Sequence, residues 1–153
     1  MATRNEHETA RKEIMTRVKA ALDAEAITAV EWPGMRFEQP KAQPWYRVGI
    51  QAGQAQPAAL GPQKLNRTPF VVFLQIFLPI ENALGNAAAY EAADAIGALN
   101  NTNQTRTDGT SGTRADVKFR VASAPNFVGK DGTFIQYNVE LPGYYDAHPG
   151  TLV

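Results

Sequence analysis

The side chains that could act as nucleophiles, bases or metal ligands are few in this chain and lie far apart. Its two serines are Ser111 and Ser123, and neither lies in a Gly-x-Ser-x-Gly nucleophile motif. Its two histidines are His7 and His148, near opposite ends of the sequence. Only the run Asp146-Ala147-His148 places a carboxylate beside an imidazole, and a single such pair in a turn-rich tail is typical of a solvent-exposed segment. We therefore predict no catalytic residue and no metal ligand.

Phosphate, thiol and carboxylate chemistry are equally poorly supported. The segment 108–113, DGTSGT, is rich in glycine but lacks the Gly-Lys-[Ser/Thr] ending of a phosphate-binding loop, so a flexible loop is the simpler interpretation. The absence of cysteine excludes thiolate nucleophiles, disulfides and Cys-based zinc sites. The acidic residues are scattered, without the spacing of a calcium loop. The sequence therefore predicts no cofactor and no enzyme. A small α+β enzyme of unknown reaction remains as an alternative without a positive feature.

Composition favours a protein that can approach other proteins closely. The chain has 153 residues, with 15 basic and 15 acidic residues and a formal net charge of zero. This length predicts one domain over 1–153, and we expect flexible ends at 1–5 and 143–153. The charge balance argues against a protein whose main role is to bind nucleic acid. Basic and aromatic residues do alternate at 45–47 and 118–120, as they do on surfaces that stack nucleic-acid bases, but alternation of core and surface residues is the simpler interpretation. No segment has the length and apolarity of a membrane-spanning helix.

Two helices and one strongly apolar strand dominate the predicted architecture. Residues 6–24 form an amphipathic helix, and 82–99 form a second helix rich in alanine. Residues 70–78, FVVFLQIFL, predict a strand that is buried on both faces. These elements must hold any functional surface in place.

Further strands are predicted from alternation. Residues 45–50 alternate, and the runs 116–122 and 133–141 predict an antiparallel hairpin whose turn lies at 129–132. The polar stretch 100–116 is longer than an ordinary connection. The fold class is therefore α+β: a mixed or largely antiparallel sheet of four to six strands with two α-helices packed on one face.

A series of short motifs, in this order, carries a resemblance to a known family. The series consists of Trp32-Pro33-Gly34, Phe37, Pro40, Trp45-Tyr46-Arg47-Val48, Leu60-Gly61, Arg67, Gln75-Ile76-Phe77-Leu78-Pro79 and Ala93-Asp94 in an alanine-rich helix. In size and element order the chain resembles the tail terminator proteins of long-tailed, lambda-like bacteriophages. The resemblance runs from about residue 14 to residue 141.

This resemblance implies a structural phage or prophage protein. Such a protein forms a homohexameric ring that caps the tail tube, ends tube polymerisation and provides the head-joining surface. The implied partners are other copies of itself, the major tail tube protein and a head-completion or connector protein. No membrane and no specific nucleic acid are expected, although DNA passes through the lumen. The implied location is the virion tail, assembled in the bacterial host cytoplasm.

Alternative functions remain open at this stage. One is another head–tail connector or neck component. Another is a nucleic-acid-binding or protein-binding module that forms no ring. The small α+β enzyme noted above is the third.

Four arginines are the candidate interface residues on this interpretation. Arg106 and Arg114 lie in the polar loop at 100–115 and are predicted to contact the tube or face the lumen, unless that loop is unengaged. Arg47 and Arg67 are predicted to form ion pairs between subunits. For Arg47, a solvent-facing strand residue is the simpler alternative.

Overall fold

The structure, a computed structural model, describes residues 6–40, 43–57, 66–80, 87–104 and 116–147. Helix α1 spans Glu6–Ala24 and helix α2 spans Ala87–Gly97. The predicted apolar stripe of α1 is buried, from Ala10 to Leu22. The helix ends in a Schellman turn: the amide of Ile27 donates to the carbonyl of Leu22, and Ala26 takes the left-handed conformation with φ 58°.

Within the described residues, eight strands form one mixed sheet. The strands are β1 (Val30–Glu31), β2 (Trp45–Ala52), β3 (Gln56–Pro57), β4 (Asn66–Pro79), β5 (Asn103–Gln104), β6 (Asp116–Phe119), β7 (Asn126–Asp131) and β8 (Phe134–Ala147). Six of them run side by side in the order β1-β2-β4-β8-β6-β5. Strand β3 continues the β2 edge of β4, and β7 pairs with β8 next to β6. Only the β1–β2 pairing is parallel.

The core lies between the two helices and one face of this sheet, which we call the inner face. Successive rows across the three longest strands place Tyr46, Ile76 and Tyr137 side by side, and then Val48, Leu74 and Val139. These side chains and the buried stripes of both helices form one hydrophobic cluster. The predicted α+β architecture, with two helices on one face of the sheet, is confirmed.

Strand β4 differs from its prediction on the opposite face of the sheet, which we call the outer face. Its inner-face residues are fully buried from Phe70 to Leu78. On the outer face, however, Val71, Phe73 and Gln75 are only half-buried, and Phe77 alone is buried. Among the described elements no second layer covers the outer face, so burial on both faces holds only at the Phe77 end.

The C-terminal third of the chain also differs from the sequence-based expectation. The alternation of 116–122 predicts that Val117, Phe119 and Val121 face inward. The strand ends at Phe119, however, and Val121 is 55% exposed. The hairpin partner of β8 is β7, which occupies part of the predicted 129–132 turn and carries a bulge between Phe127 and Gly129. The real turn is at 132–133.

The expected flexible end from residue 143 onward is a strand as far as Ala147. Strand β8 runs past Pro142 and Gly143 because β4 pairs with it along its whole length and β6 pairs with residues 143–146. Two turn-forming residues in sequence thus lie inside a three-strand ladder, where tertiary pairing outweighs local preference. Residues 1–5 and 148–153 lie outside the described residues.

Candidate assembly surface

Among the described residues, the two helices leave the outer face of the sheet uncovered. It presents the odd-numbered residues of β2 and β4 and the even-numbered residues of β8. Most of its aromatic contacts and cation–ring contacts lie near its two ends. Residues 67 and 77 mark these ends on β4, roughly 33 Å apart at about 3.3 Å per strand residue.

One end is an aromatic cluster closed by its own side chains. Trp45 stacks on Phe77 with ring centroids 4.0 Å apart, and Phe37 and Phe134 flank it at 5.8 and 6.3 Å. Trp45 is 3% exposed, and its indole nitrogen has no hydrogen-bond acceptor among the described residues. This end is therefore packed like a small second core and offers little free surface.

Arg47 lies over this aromatic cluster and is already paired within its own chain. Its guanidinium is 5.4 Å from the rings of both Trp45 and Phe77. It donates to the carboxylate of Glu31, which lies opposite Arg47 in the parallel β1–β2 pairing. An ion pair from Arg47 to a neighbouring subunit stays a prediction, and Glu31 is a competing partner for it.

The other end of the outer face is a group of cations around one tyrosine, which we call the Tyr144 cluster. Arg67, Lys118 and Arg120 surround the ring of Tyr144, with their cationic groups 4.1, 6.0 and 5.2 Å from its centroid. Cations are attracted to the face of an aromatic ring by its quadrupole. The groove beside the ring has a volume of about 450 Å³ and includes Gln54 in its lining.

The three cations of the Tyr144 cluster differ in how they are balanced. Arg67 makes a two-pronged contact with the Asp146 carboxylate, at 2.9 and 3.2 Å. This hydrogen bonding raises the pKa of the Arg67 guanidinium above its ordinary value. Lys118 and Arg120, in contrast, contact no carboxylate in the part of the chain that the structure describes. The cluster is therefore a surface with cationic groups available to an anionic partner.

Removing Arg67 is expected to change stability only slightly. Arg67→Ala should lower the free energy of unfolding by less than about 1 kcal/mol, because exposed ion pairs contribute little in water. The interaction free energy of the pair is measured by urea denaturation of four proteins: wild type, Arg67→Ala, Asp146→Ala and the double variant. A loss above 2 kcal/mol for Arg67→Ala alone would show that Arg67 is a structural residue and not a surface residue available for contacts.

The remaining sequence-based candidates fall in two places. Arg106, Arg114 and His148 lie outside the described residues. Nδ1 of His7 lies 2.7 Å from the hydroxyl oxygen of Tyr145, on the inner side of the sheet. Burial raises the pKa of the Tyr145 hydroxyl above its ordinary value. No group of three histidine or acidic side chains that could hold a metal ion occurs in the ranges described. Neither described helix is long and apolar enough to cross a membrane.

Sequence reasoning missed the Tyr144 cluster as a unit. It noted the basic–aromatic run at 118–120 and singled out Arg67, but it assigned residue 144 to a flexible tail. The missing information was the register, in which Pro69 faces Tyr144 on β8 and Tyr144 faces Lys118 on β6. Continuing the alternation of 134–141 through Pro142 would have placed Tyr144 on the same face as Arg67.

The chain matches a known protein family over most of its length. A sequence model of the phage tail terminator protein family matches residues 11–129 of the 153. The chain belongs to the phage tail terminator family. Tail terminators are structural proteins, so this one has a structural role in a phage tail, as a virion component that contacts other tail or head proteins.

A solved structure supports the fold of this tail terminator. The two structures superpose with a TM-score of 0.59 at 17% sequence identity, over 93% of this chain and 97% of the other. At that identity the likeness concerns the fold alone. No curated protein matches the chain significantly.

Proposed function

We propose that this tail terminator forms a hexameric ring that caps the finished tail tube, stops further addition of tube subunits and presents a surface for joining to the head. Membership of the family gives the structural role in the tail. The observation that carries the ring is the uncovered outer face, which combines half-buried apolar side chains with unbalanced cations at the Tyr144 cluster. Such a face gains stability when another protein surface covers it.

The charge balance of the chain suits assembly from identical copies. A closed ring needs a heterologous interface, in which one surface of a subunit meets a different surface of the next. With 15 basic and 15 acidic residues the chain has no net charge, so identical copies approach without long-range repulsion. A balanced composition also lets DNA pass through a lumen without tight phosphate binding.

The partners that follow from this function are the major tail tube protein on one side of the ring and a head-completion or connector protein on the other. Assembly takes place in the cytoplasm of the bacterial host, and the ring remains in the virion. Arg106 and Arg114 supply contacts to the tube or to the lumen from the 100–115 segment.

Deleting the gene from its phage should abolish the control of tail length. Because nothing then stops addition of tube subunits, we expect tubes of variable and excessive length without heads, measured by electron microscopy of lysates. Expression of the wild-type chain should restore uniform tails and infectious particles. Tails of normal length that merely lack heads would instead favour the alternative, a head–tail connector or neck component.

The same complementation assay tests the loop arginines. The double variant Arg106→Ala/Arg114→Ala should restore length control poorly. The control is Lys12→Ala/Lys19→Ala, which removes the same number of positive charges from exposed positions of α1. Full restoration of tail length and head joining by the double variant would remove the 100–115 loop from the proposal and leave the ring itself in place.

A further inference from the structure

The exposed side of α2 carries negative charge and no positive charge. The only charged residues of this helix are Glu91 and Asp94, and both are exposed. Tyr90 lies beside them and is 54% exposed. We call these three residues the acidic patch. None of the cations that the structure describes contacts its carboxylates.

A groove runs along the acidic patch. It has a volume of about 520 Å³ and lies between α2 and residues 122–125, with Tyr90, Asp94 and Ala98 in its lining. A groove with a carboxylate on one wall and an aromatic ring beside it suits a guanidinium or ammonium group, which pairs with the first and packs on the second.

The acidic patch and the Tyr144 cluster lie on opposite sides of the same sheet. Helix α2 packs against the inner face of β4 and β8. Arg67 and Tyr144 lie on the outer face of these same two strands. The two surfaces therefore cannot meet within one chain, although their charges are complementary. Among the described residues, Lys118 and Arg120 contact no carboxylate, and Glu91 and Asp94 contact no cation.

We infer that the acidic patch of one copy docks on the Tyr144 cluster of the next, so that Glu91 and Asp94 pair with Lys118 and Arg120 across a head-to-tail contact. This inference rests on the proposed function, because it assigns the two surfaces that join neighbouring subunits of the ring. A contact between two different surfaces is heterologous, the kind that closes into a ring when its rotation allows. Charge complementarity of this kind also fixes the register of docking.

Cysteine cross-linking tests the contact without altering any charge. The native chain has no cysteine, so engineered thiols are the only ones present. Ala98→Cys places a thiol in the groove of the acidic patch, and Gln54→Cys places one in the groove of the Tyr144 cluster. The full chain is oxidised both free and on purified tail tubes. We expect disulfide-linked dimers when the two variants are mixed, and none from either variant alone or from Lys19→Cys mixed with either.

Charge exchange gives an independent test of the same contact. Arg120→Glu or Asp94→Arg alone should weaken assembly by at least about tenfold, since like charges then face each other. The double variant Arg120→Glu/Asp94→Arg should recover most of that loss, because opposite charges again face each other in every copy. Lys19→Glu, which belongs to neither surface, should assemble as wild type does. Sedimentation and tube-binding titrations measure the change.

The outcomes separate this inference from the proposed function. Rings that form without the 98–54 cross-link would overturn the contact and leave the ring standing. Cross-links from Gln54→Cys to a thiol-labelled tube subunit, or salt-dependent binding of a DNA duplex that Arg120→Glu abolishes, would assign the Tyr144 cluster to another partner and also overturn the contact. A chain that stays monomeric even on tubes would overturn both.

Discussion

Replacing Gly143 with alanine is expected to lower the free energy of unfolding by about 3 kcal/mol, near the upper end for overpacking a well-packed core. Gly143 lies in β8, between β4 and β6. A Cβ atom there would lie 2.4 Å from the carbonyl oxygen of Lys118 and 2.6 Å from Cζ of Phe70. The first contact is with backbone, so the β6–β8 pairing must shift. Urea denaturation followed by circular dichroism measures the change.

A second strand glycine supplies the control. Gly49 in β2 has open space where a Cβ would lie, so Gly49→Ala should be neutral or slightly stabilising. Adding Phe70→Leu to Gly143→Ala should recover part of the loss, because the shorter side chain vacates the space that the new methyl group needs. Equal effects of Gly143→Ala and Gly49→Ala would show that Gly143 is not closely packed.

Phe119→Ala should destabilise the protein by about 4 kcal/mol. Phe119 is fully buried in β6, where its ring meets that of Phe70 edge to face with centroids 5.7 Å apart. The guanidinium of Arg17 from α1 lies 4.6 Å from the centroid of the Phe119 ring. Truncation leaves a cavity and also removes the aromatic surface on which this partly buried cation lies. The free energy of unfolding from urea denaturation checks the value.

The matched control is another phenylalanine in a neighbouring strand. Phe127 in β7 is 60% exposed, so Phe127→Ala should cost less than about 1 kcal/mol. A loss for Phe119→Ala no greater than that for Phe127→Ala would contradict the placement of β6 beneath α1.

The elements with strong periodicity could be predicted from sequence. The apolar stripe of α1 and the alternation at 45–50 and 134–141 each predict which face of the element is buried, because the apolar face of an amphipathic element packs against the core. The packed helix face of α2 was also foreseeable, because its small residues allow close approach to the sheet. Its predicted beginning at residue 82 stays a prediction, since residues 81–86 lie outside the described part of the chain.

The pairing partners of the strands could not be predicted. Nothing local indicates that β7 pairs with residues 134–138 of β8 while β6 pairs with residues 143–146, or that Pro142 and Gly143 continue a strand, because these choices depend on long-range pairing between strands. The Tyr144 cluster depends on the same register, so Arg67 was recognised singly and its neighbours were not. Arg47 and Arg67 each have a carboxylate partner in their own chain, which sequence spacing does not reveal at separations of 16 and 79 residues.

The central claim is that this chain works as one subunit of a closed collar on the tail tube. The most direct measurement adds the purified full-length protein to tubes growing from purified tail tube protein and images their ends by cryo-electron microscopy. The account predicts that growth stops and that each arrested end carries one six-fold ring of this protein. Tubes that continue to grow at an unchanged rate, with bare ends, would contradict it.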